Sequence, residues 1–220
     1  MTAYQRLSYI LDADIPVYGN GTRPGFSRIN DMRKGATANK TALTLDSHMG
    51  THIDFPLHFL ADGRGGEDYQ AHELVFQHAL LVEVPTEGGL IQNNALQNIP
   101  QDVHLDLLLI KTGFCYKRHT DDYWQNNPGF ASETAAYLQE KFPSLRAIGF
   151  DSISLSSFLH REEGRIAHRA FLSRNILIIE DMDLRNVTPH TRFEKIMVAP
   201  LLFSACDGAP CYVLAEIRTS

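Results

Sequence analysis

Residues 48–58 read His-Met-Gly-Thr-His-Ile-Asp-Phe-Pro-Leu-His, and the four side chains fit for acid/base or metal chemistry, His48, His52, Asp54 and His58, all fall at even positions. In an extended strand alternate residues share a face, so all four can point one way. A straight strand would still separate residues 48 and 52 by about 13 Å, at roughly 3.3 Å per residue. Two ligands of one ion must bring their donor atoms within about 4 Å, because each bond is about 2.1 Å. A helix would stack 48 on 52, as in the H-E-x-x-H zinc proteases. Here position 49 is Met, Gly50 and Thr51 are poor helix formers, and Pro56 pushes Phe55 out of the helical region. The spacing therefore predicts a strand over 41–47 feeding a loop turned at Gly50, which gathers three imidazoles and a carboxylate. Neutral imidazole suits zinc and related divalent ions, and a carboxylate can bridge two of them.

The rest of the chain has ordinary globular composition: 220 residues, 44% hydrophobic and 21% charged. This length is expected to fold as one domain, 1–220, with a core that needs no disulfide. Twenty Lys+Arg against 26 Asp+Glu leave a net charge of −6, which argues against a phosphate-backbone partner, so no nucleic acid is expected. The longest nearly apolar run, 196–206, is interrupted by Pro200 and falls well short of the ~20 residues a spanning helix needs, so no membrane is expected. Asp12 and Asp14 precede any apolar stretch of signal-peptide length, so export is not signalled. Cys115, Cys206 and Cys211 are odd in number and lack C-x-x-C spacing, which points to a reducing cytoplasm.

Apolar runs predict buried strands at 79–84, 105–110, 147–150 and 176–179, with two more at 196–203 and 212–217. Ser132 is placed to cap a helix reaching Phe142, with Ala135, Leu138 and Phe142 on one face. A short second helix is expected over 168–174, ending at Asn175. The glycine-rich stretch 18–35 reads as a long loop, and 160–165 as a mobile, solvated one. The mixture is α/β or α+β with more strand than helix. No G-x-S-x-G elbow surrounds Ser152 or Ser154, and no cysteine sits in a motif for an activated thiolate.

The string His48-x-Gly50-Thr51-His52-x-Asp54-x-Pro56-x-His58 resembles the H-x-G-T-H-x-D-x-P-x-H signature of the cyclase-like metal-dependent hydrolases, which include bacterial kynurenine formamidases and isatin hydrolases. The resemblance runs over most of the chain, about 7–217. It includes LLLIKTG at 107–113, Trp124, IGFDS at 148–152, His168 twelve positions before Glu180, APL at 199–201, and DGAP at 207–210. It implies an α/β fold: a mixed sheet or β-barrel-like core with flanking helices, of the swivelling β/β/α type. It also implies that His48, His52 and Asp54 hold one metal ion, and that Asp54 and Glu180 bridge to a second that His168 also binds. His58 is implied to carry the proton. Two Zn²⁺ ions are the implied cofactor, with Mn²⁺ as the alternative, in a homodimer or homotetramer.

The function implied is hydrolysis of a small amide, such as an aryl formamide like N-formylkynurenine. The alternatives are ring opening of a cyclic amide or imide with manganese, and metal or ligand binding without turnover. His160 competes with His168 for the ligand role. Three departures bear on substrate rather than metal: Tyr18-Gly19 where the formamidases often carry Trp-Pro, Cys211-Tyr212 after Pro210, and SISLSSFLHREEGR after Asp151. Tyr18 is a candidate aromatic platform for substrate, or a loop aromatic packed on the core.

Overall fold

The computed structural model describes residues 1–100 and 104–218. In chain order its strands are β1 (Thr2–Arg6), β2 (Gly25–Asn30), β3 (Lys40–Thr44), β4 (His52–Asp54), β5 (Val75–Phe76), β6 (Ala79–Glu83), β7 (Leu90–Ile91), β8 (Leu107–Lys111), β9 (Gly129–Phe130), β10 (Ala147–Phe150), β11 (Leu177–Glu180), β12 (Phe193–Pro200) and β13 (Gly208–Arg218). The helices are α1 (Asp122–Gln125), α2 (Glu133–Lys141) and α3 (Arg161–Leu172).

The main sheet runs β5-β12-β13-β4-β11-β10-β8-β6, with β1 also paired to β13. Strands β6, β8, β10 and β11 are parallel. Strand β4 is antiparallel to β11 on one side and β13 on the other, so it joins the parallel half to the antiparallel half. Parallel strands are covered on both faces, which is why LLLIK of β8 is buried throughout. Its side chains alternate between two cores. Leu107 and Leu109 face the inside of the curled sheet with Phe55, Phe76 and Val213, while Leu108 and Ile110 face Leu138 of α2 and Phe171 of α3. Strand β6 approaches β12, so the sheet curls almost closed. The expected mixed, barrel-like core is present.

Strands foreseen from apolar runs stand within a few residues of their expected places, whereas four segments differ. The strand expected to feed the histidine cluster is β3, and it pairs with β2 in a separate, largely exposed hairpin. The stretch 18–35, read as a loop, therefore contains a strand. Ser132 occupies the cap position of α2, but its side chain makes no capping bond. Its backbone N–H instead donates to Glu163 Oε1 at 2.6 Å, which ties α2 to α3. Helix α3 begins seven residues before His168, so 160–165 is not a mobile loop.

Gly164 explains the last difference. A glycine inside a helix costs about 1 kcal/mol relative to alanine, and so argues against a helix there. A Cβ at this position would lie 2.1 Å from Ser156 Oγ and 2.6 Å from Ser156 Cα. The glycine thus lets α3 pack directly on the Ser156 loop. Gly164→Ala is expected to destabilise the fold by about 1–3 kcal/mol through overpacking. At about 2–4 °C per kcal/mol for a chain of this size, calorimetry should read that as a lower Tm. An unchanged Tm would mean the Ser156 loop yields freely.

Candidate metal centre

Strand pairing brings the distant halves of the site together. Glu180 lies directly opposite His52, and Ile179 opposite Ile53. Ile53 and Ile179 point into the barrel core. By alternation, His52, Asp54 and Glu180 share the other face, the one α3 covers, where His168 projects from the helix interior. Two backbone devices complete the convergence. Gly50 takes a positive φ of 63°, and a short 3₁₀ turn, Pro56–His58, folds His58 back. His48, His52, Asp54, His58, His168 and Glu180 all line one cavity of about 320 Å³, and Tyr18 lines its wall.

Two imidazoles are oriented by backbone carbonyls. His52 Nδ1 lies 2.8 Å from Gly50 O, and His168 Nδ1 lies 2.8 Å from Gly164 O. A carbonyl only accepts, so each ring carries a proton on Nδ1 and turns Nε2 into the cavity. His52 Nε2 stands 3.3 Å from Glu180 Oε2 and 3.5 Å from Asp54 Oδ1. His168 Nε2 stands 3.4 Å from Glu180 Oε1 and 3.6 Å from Asp54 Oδ2. Asp54 Oδ2 is buried without a hydrogen-bond partner. Lone pairs facing lone pairs in a buried nest require a positive centre, either protons or a metal ion. The donors therefore fit a divalent ion.

A second group shares Asp54. His48 sits between two carboxylates, with Nδ1 2.8 Å from Asp54 Oδ1 and Nε2 3.0 Å from Asp207 Oδ2. Its ring stacks on His58 with centroids 3.8 Å apart. His48, Asp54 and His58 offer one candidate ligand group, and His52, Asp54 and Glu180 another. The geometry thus admits His58 either as a ligand beside His48 or as a proton carrier. His160 is exposed and outside the cavity, whereas His168 is buried within it.

The electrostatics follow from this packing. Burial alone would lower His48, but Asp54 and Asp207 outweigh it and raise its pKa to about 10. Burial likewise opposes the charged forms of His52 and His168, and Glu180 and Asp54 overcome it, raising both. Asp54 is held below the ordinary carboxylate range despite its burial, chiefly by His48. His58 goes the other way: burial and the neighbouring imidazoles hold it down, against Asp54. Protons thus occupy the places where an ion would sit, and metal uptake would release them.

Two features escape sequence reasoning. Asp207 appears in the chain only as part of DGAP, yet it grips His48 and lies 3.5 Å from His58 Nδ1. Gly208, opposite Asp54 in register, makes room for that contact: a Cβ there would lie 2.3 Å from His48 Cε1. The second is a buried clamp on the residue after Glu180. Asp181 has a positive φ of 49°, and its carboxylate accepts from Arg118 at 2.6 and 2.8 Å and from Tyr123 Oη at 2.5 Å. The cysteines are all buried, and burial pushes the Cys211 thiol up, away from nucleophilic use.

Known proteins share this fold, and curated relatives share about a quarter of the sequence. Kynurenine formamidase from Erythrobacter litoralis (strain HTCC2594) is 26% identical over 206 residues, covering 93% of this chain and 89% of that protein. Cyclase-like protein 1 from Arabidopsis thaliana is 27% identical over 217 residues, covering 93% of this chain and 81% of that protein. Isatin hydrolase A from Labrenzia aggregata, bound to benzyl benzoate, superposes with a TM-score of 0.83 at 19% identity over 99% of this chain and 94% of that one. A potential metal-dependent hydrolase with cyclase activity superposes with a TM-score of 0.80 at 24% identity over all of both chains. At these identities the structural likeness establishes the fold. The Cyclase family model matches residues 5–157, a span that includes the whole His48–His58 signature, and the chain belongs to that family.

Proposed function

We propose that the chain is a metal-dependent hydrolase of small amides, with aryl formamides such as N-formylkynurenine as the first substrates to test. The observation that carries this reading is the buried nest in which Asp54 joins two donor groups and leaves Oδ2 unpartnered. Relatives named kynurenine formamidase, at 26% and 27% identity, support the amide class.

His48, His52, Asp54, His168 and Glu180 would hold the metal. Imidazole with carboxylate suits zinc, and manganese is the alternative. A bound ion would supply Lewis-acid polarisation and lower the pKa of water from 15.7 towards about 7. Carbonyl acceptors at Gly50 and Gly164 keep His52 and His168 in the ligating tautomer. His58, on the 3₁₀ turn beside the nest, is assigned the proton work: it takes a proton from the attacking water and returns it to the leaving nitrogen. Asp207 would stabilise the imidazolium formed between those steps. Tyr18 offers an aromatic wall to an aryl group.

Assembly belongs to the same proposal. The β2–β3 hairpin exposes Phe26, Ile29 and Leu43, and a lone two-stranded hairpin is marginal in water. A homodimer or homotetramer covering it is therefore expected, and light scattering reading a monomer would refute this. Three buried free thiols suit a reducing cytoplasm. No helix among the described residues is long and apolar enough to cross a membrane.

The test couples elemental analysis of purified protein to a panel of formanilides and cyclic imides. Stoichiometric divalent metal and chelator-sensitive amide turnover are expected. Protein that takes up no metal, or loaded protein that turns over none of the panel, would refute the reading.

A further inference from the structure

The wall of the cavity opposite in chemistry to the metal nest belongs to α3 and the loop around Tyr18. Arg161 and Arg165, one helical turn apart, both line it. Arg165 is already paired with Glu162. Arg161 forms no ion pair among the described residues, and its guanidinium is instead seated on aromatic rings, 5.7 Å from the Tyr18 centroid and 5.4 Å from that of Phe158. Tyr18 and Phe158 meet edge to face with centroids 5.8 Å apart, and Trp124 packs on Phe158 at 5.1 Å, so the shelf beneath the guanidinium is braced. Gly19, at a positive φ of 63°, carries the Tyr18 loop past Arg161 with an added Cβ only 3.8 Å from Nη2. The Tyr18 hydroxyl, in the same wall, is buried, and Arg161 is the side chain that faces it.

The acidic groups of the cavity are otherwise engaged. Asp54 and Glu180 face the imidazoles, Asp181 is held by Arg118, and Asp46 accepts from the His48 backbone N–H at 3.4 Å. An exposed guanidinium at the cavity wall and the hydroxyl that faces it thus stand together, with no cavity carboxylate left over to pair with the arginine. We infer that this wall recognises a carboxylate on the substrate, so that the amide hydrolysed is an anionic one, bound by Arg161 with the Tyr18 hydroxyl at the end remote from the scissile bond. The inference rests on the hydrolase reading for its substrate class and on the Arg161 shelf for the charge. A planar guanidinium suits this task, because it meets a carboxylate with two parallel N–H donors.

The experiment compares formanilides carrying a carboxylate at the ortho, meta or para position with the matching carboxamides. For wild type, kcat/KM should favour at least one carboxylate isomer. Arg161→Ala should reduce that preference about 10–100-fold through KM, the range expected for one or two charge-assisted hydrogen bonds. Arg161→Lys should restore part of it, and Tyr18→Phe, which keeps the ring, should lose a smaller part. A preference unchanged in Arg161→Ala would overturn the inference while leaving the hydrolase reading intact. If wild type hydrolyses no amide, the hydrolase reading fails and the wall is read by calorimetry on metal-loaded protein, with aminobenzoates against aminobenzamides. Arg161-dependent preference for the benzoate then supports carboxylate recognition, and equal preference in the variant refutes it.

Discussion

Replacing Asp54 with alanine is expected to leave the purified protein without bound divalent metal and without measurable amide turnover. Asp54 is the carboxylate common to both donor groups. One oxygen lies 2.8 Å from His48 Nδ1, and the other, unpartnered, lies 3.6 Å from His168 Nε2. Its cross-strand neighbours are Ile178 and Gly208, neither of which carries a side-chain oxygen to take its place. Lewis-acid stabilisation worth several kcal/mol corresponds to a rate loss of about 10³-fold or more. Elemental analysis is the first readout, and thermal melting with and without chelator the second. A ligand that binds the native state alone at 1,000 times its Kd adds about 4.1 kcal/mol of stability. At about 2–4 °C per kcal/mol, chelation should lower the wild-type Tm by roughly 8–16 °C and leave that of the variant in place. Asp54→Asn, nearly isosteric, separates loss of the charge from loss of packing. Full occupancy in the alanine variant would remove Asp54 from the site.

The parallel half of the barrel-like sheet was legible because its central strands are buried on both faces, so apolar runs alone mark β8, β10 and β11. Where structure depends on a contact with a remote segment, local signals mislead. Gly164 reads as a helix breaker until Ser156 is seen packed against it. β3 carries the β-branched and apolar residues of a core strand, yet its partner is the exposed β2. Ser132 carries the chemistry of a cap, but its side chain makes no capping bond and its own backbone N–H donates to Glu163, 31 residues away.

The site divides along the same line. His48, His52, Asp54 and His58 lie within eleven residues, so their spacing, with Gly50 and Pro56, already points to a loop that gathers them. His168 and Glu180 have no such signal. Each would pass as a surface residue, and the resemblance to a known family, not periodicity, singled them out. Their convergence rests on β4–β11 pairing and on α3 lying over that pair. Asp207 enters by the opposite edge, through the β4–β13 register, and depends on Gly208 having no side chain. A sequence shows a ligand cluster when one loop contains it; strand register supplies the remainder.

His58→Ala tests whether the two kinds of histidine have been told apart. If His58 carries protons, the variant should keep its metal and lose turnover by about 10²–10⁴-fold, the usual contribution of a positioned acid/base group. The structure gives reasons for that separation. His52 and His168 each have Nδ1 engaged by a backbone carbonyl, which commits Nε2 to the nest. His58 has no such carbonyl: its Nδ1 faces Asp207 at 3.5 Å, and its ring is stacked on His48 rather than locked by the backbone. A ring whose Nδ1 meets a carboxylate instead of a backbone carbonyl suits a group that must change protonation state during each turnover. His168→Ala should behave in the opposite way and lose metal, because it removes one of the donors converging on Glu180 and Asp54. His160→Ala should leave both metal and activity close to wild type, since His160 is exposed and outside the cavity. Metal content and kcat measured together for the three variants decide the matter. Loss of metal in His58→Ala would make His58 a ligand alongside His48 and Asp54, and the proton work would then have to be reassigned.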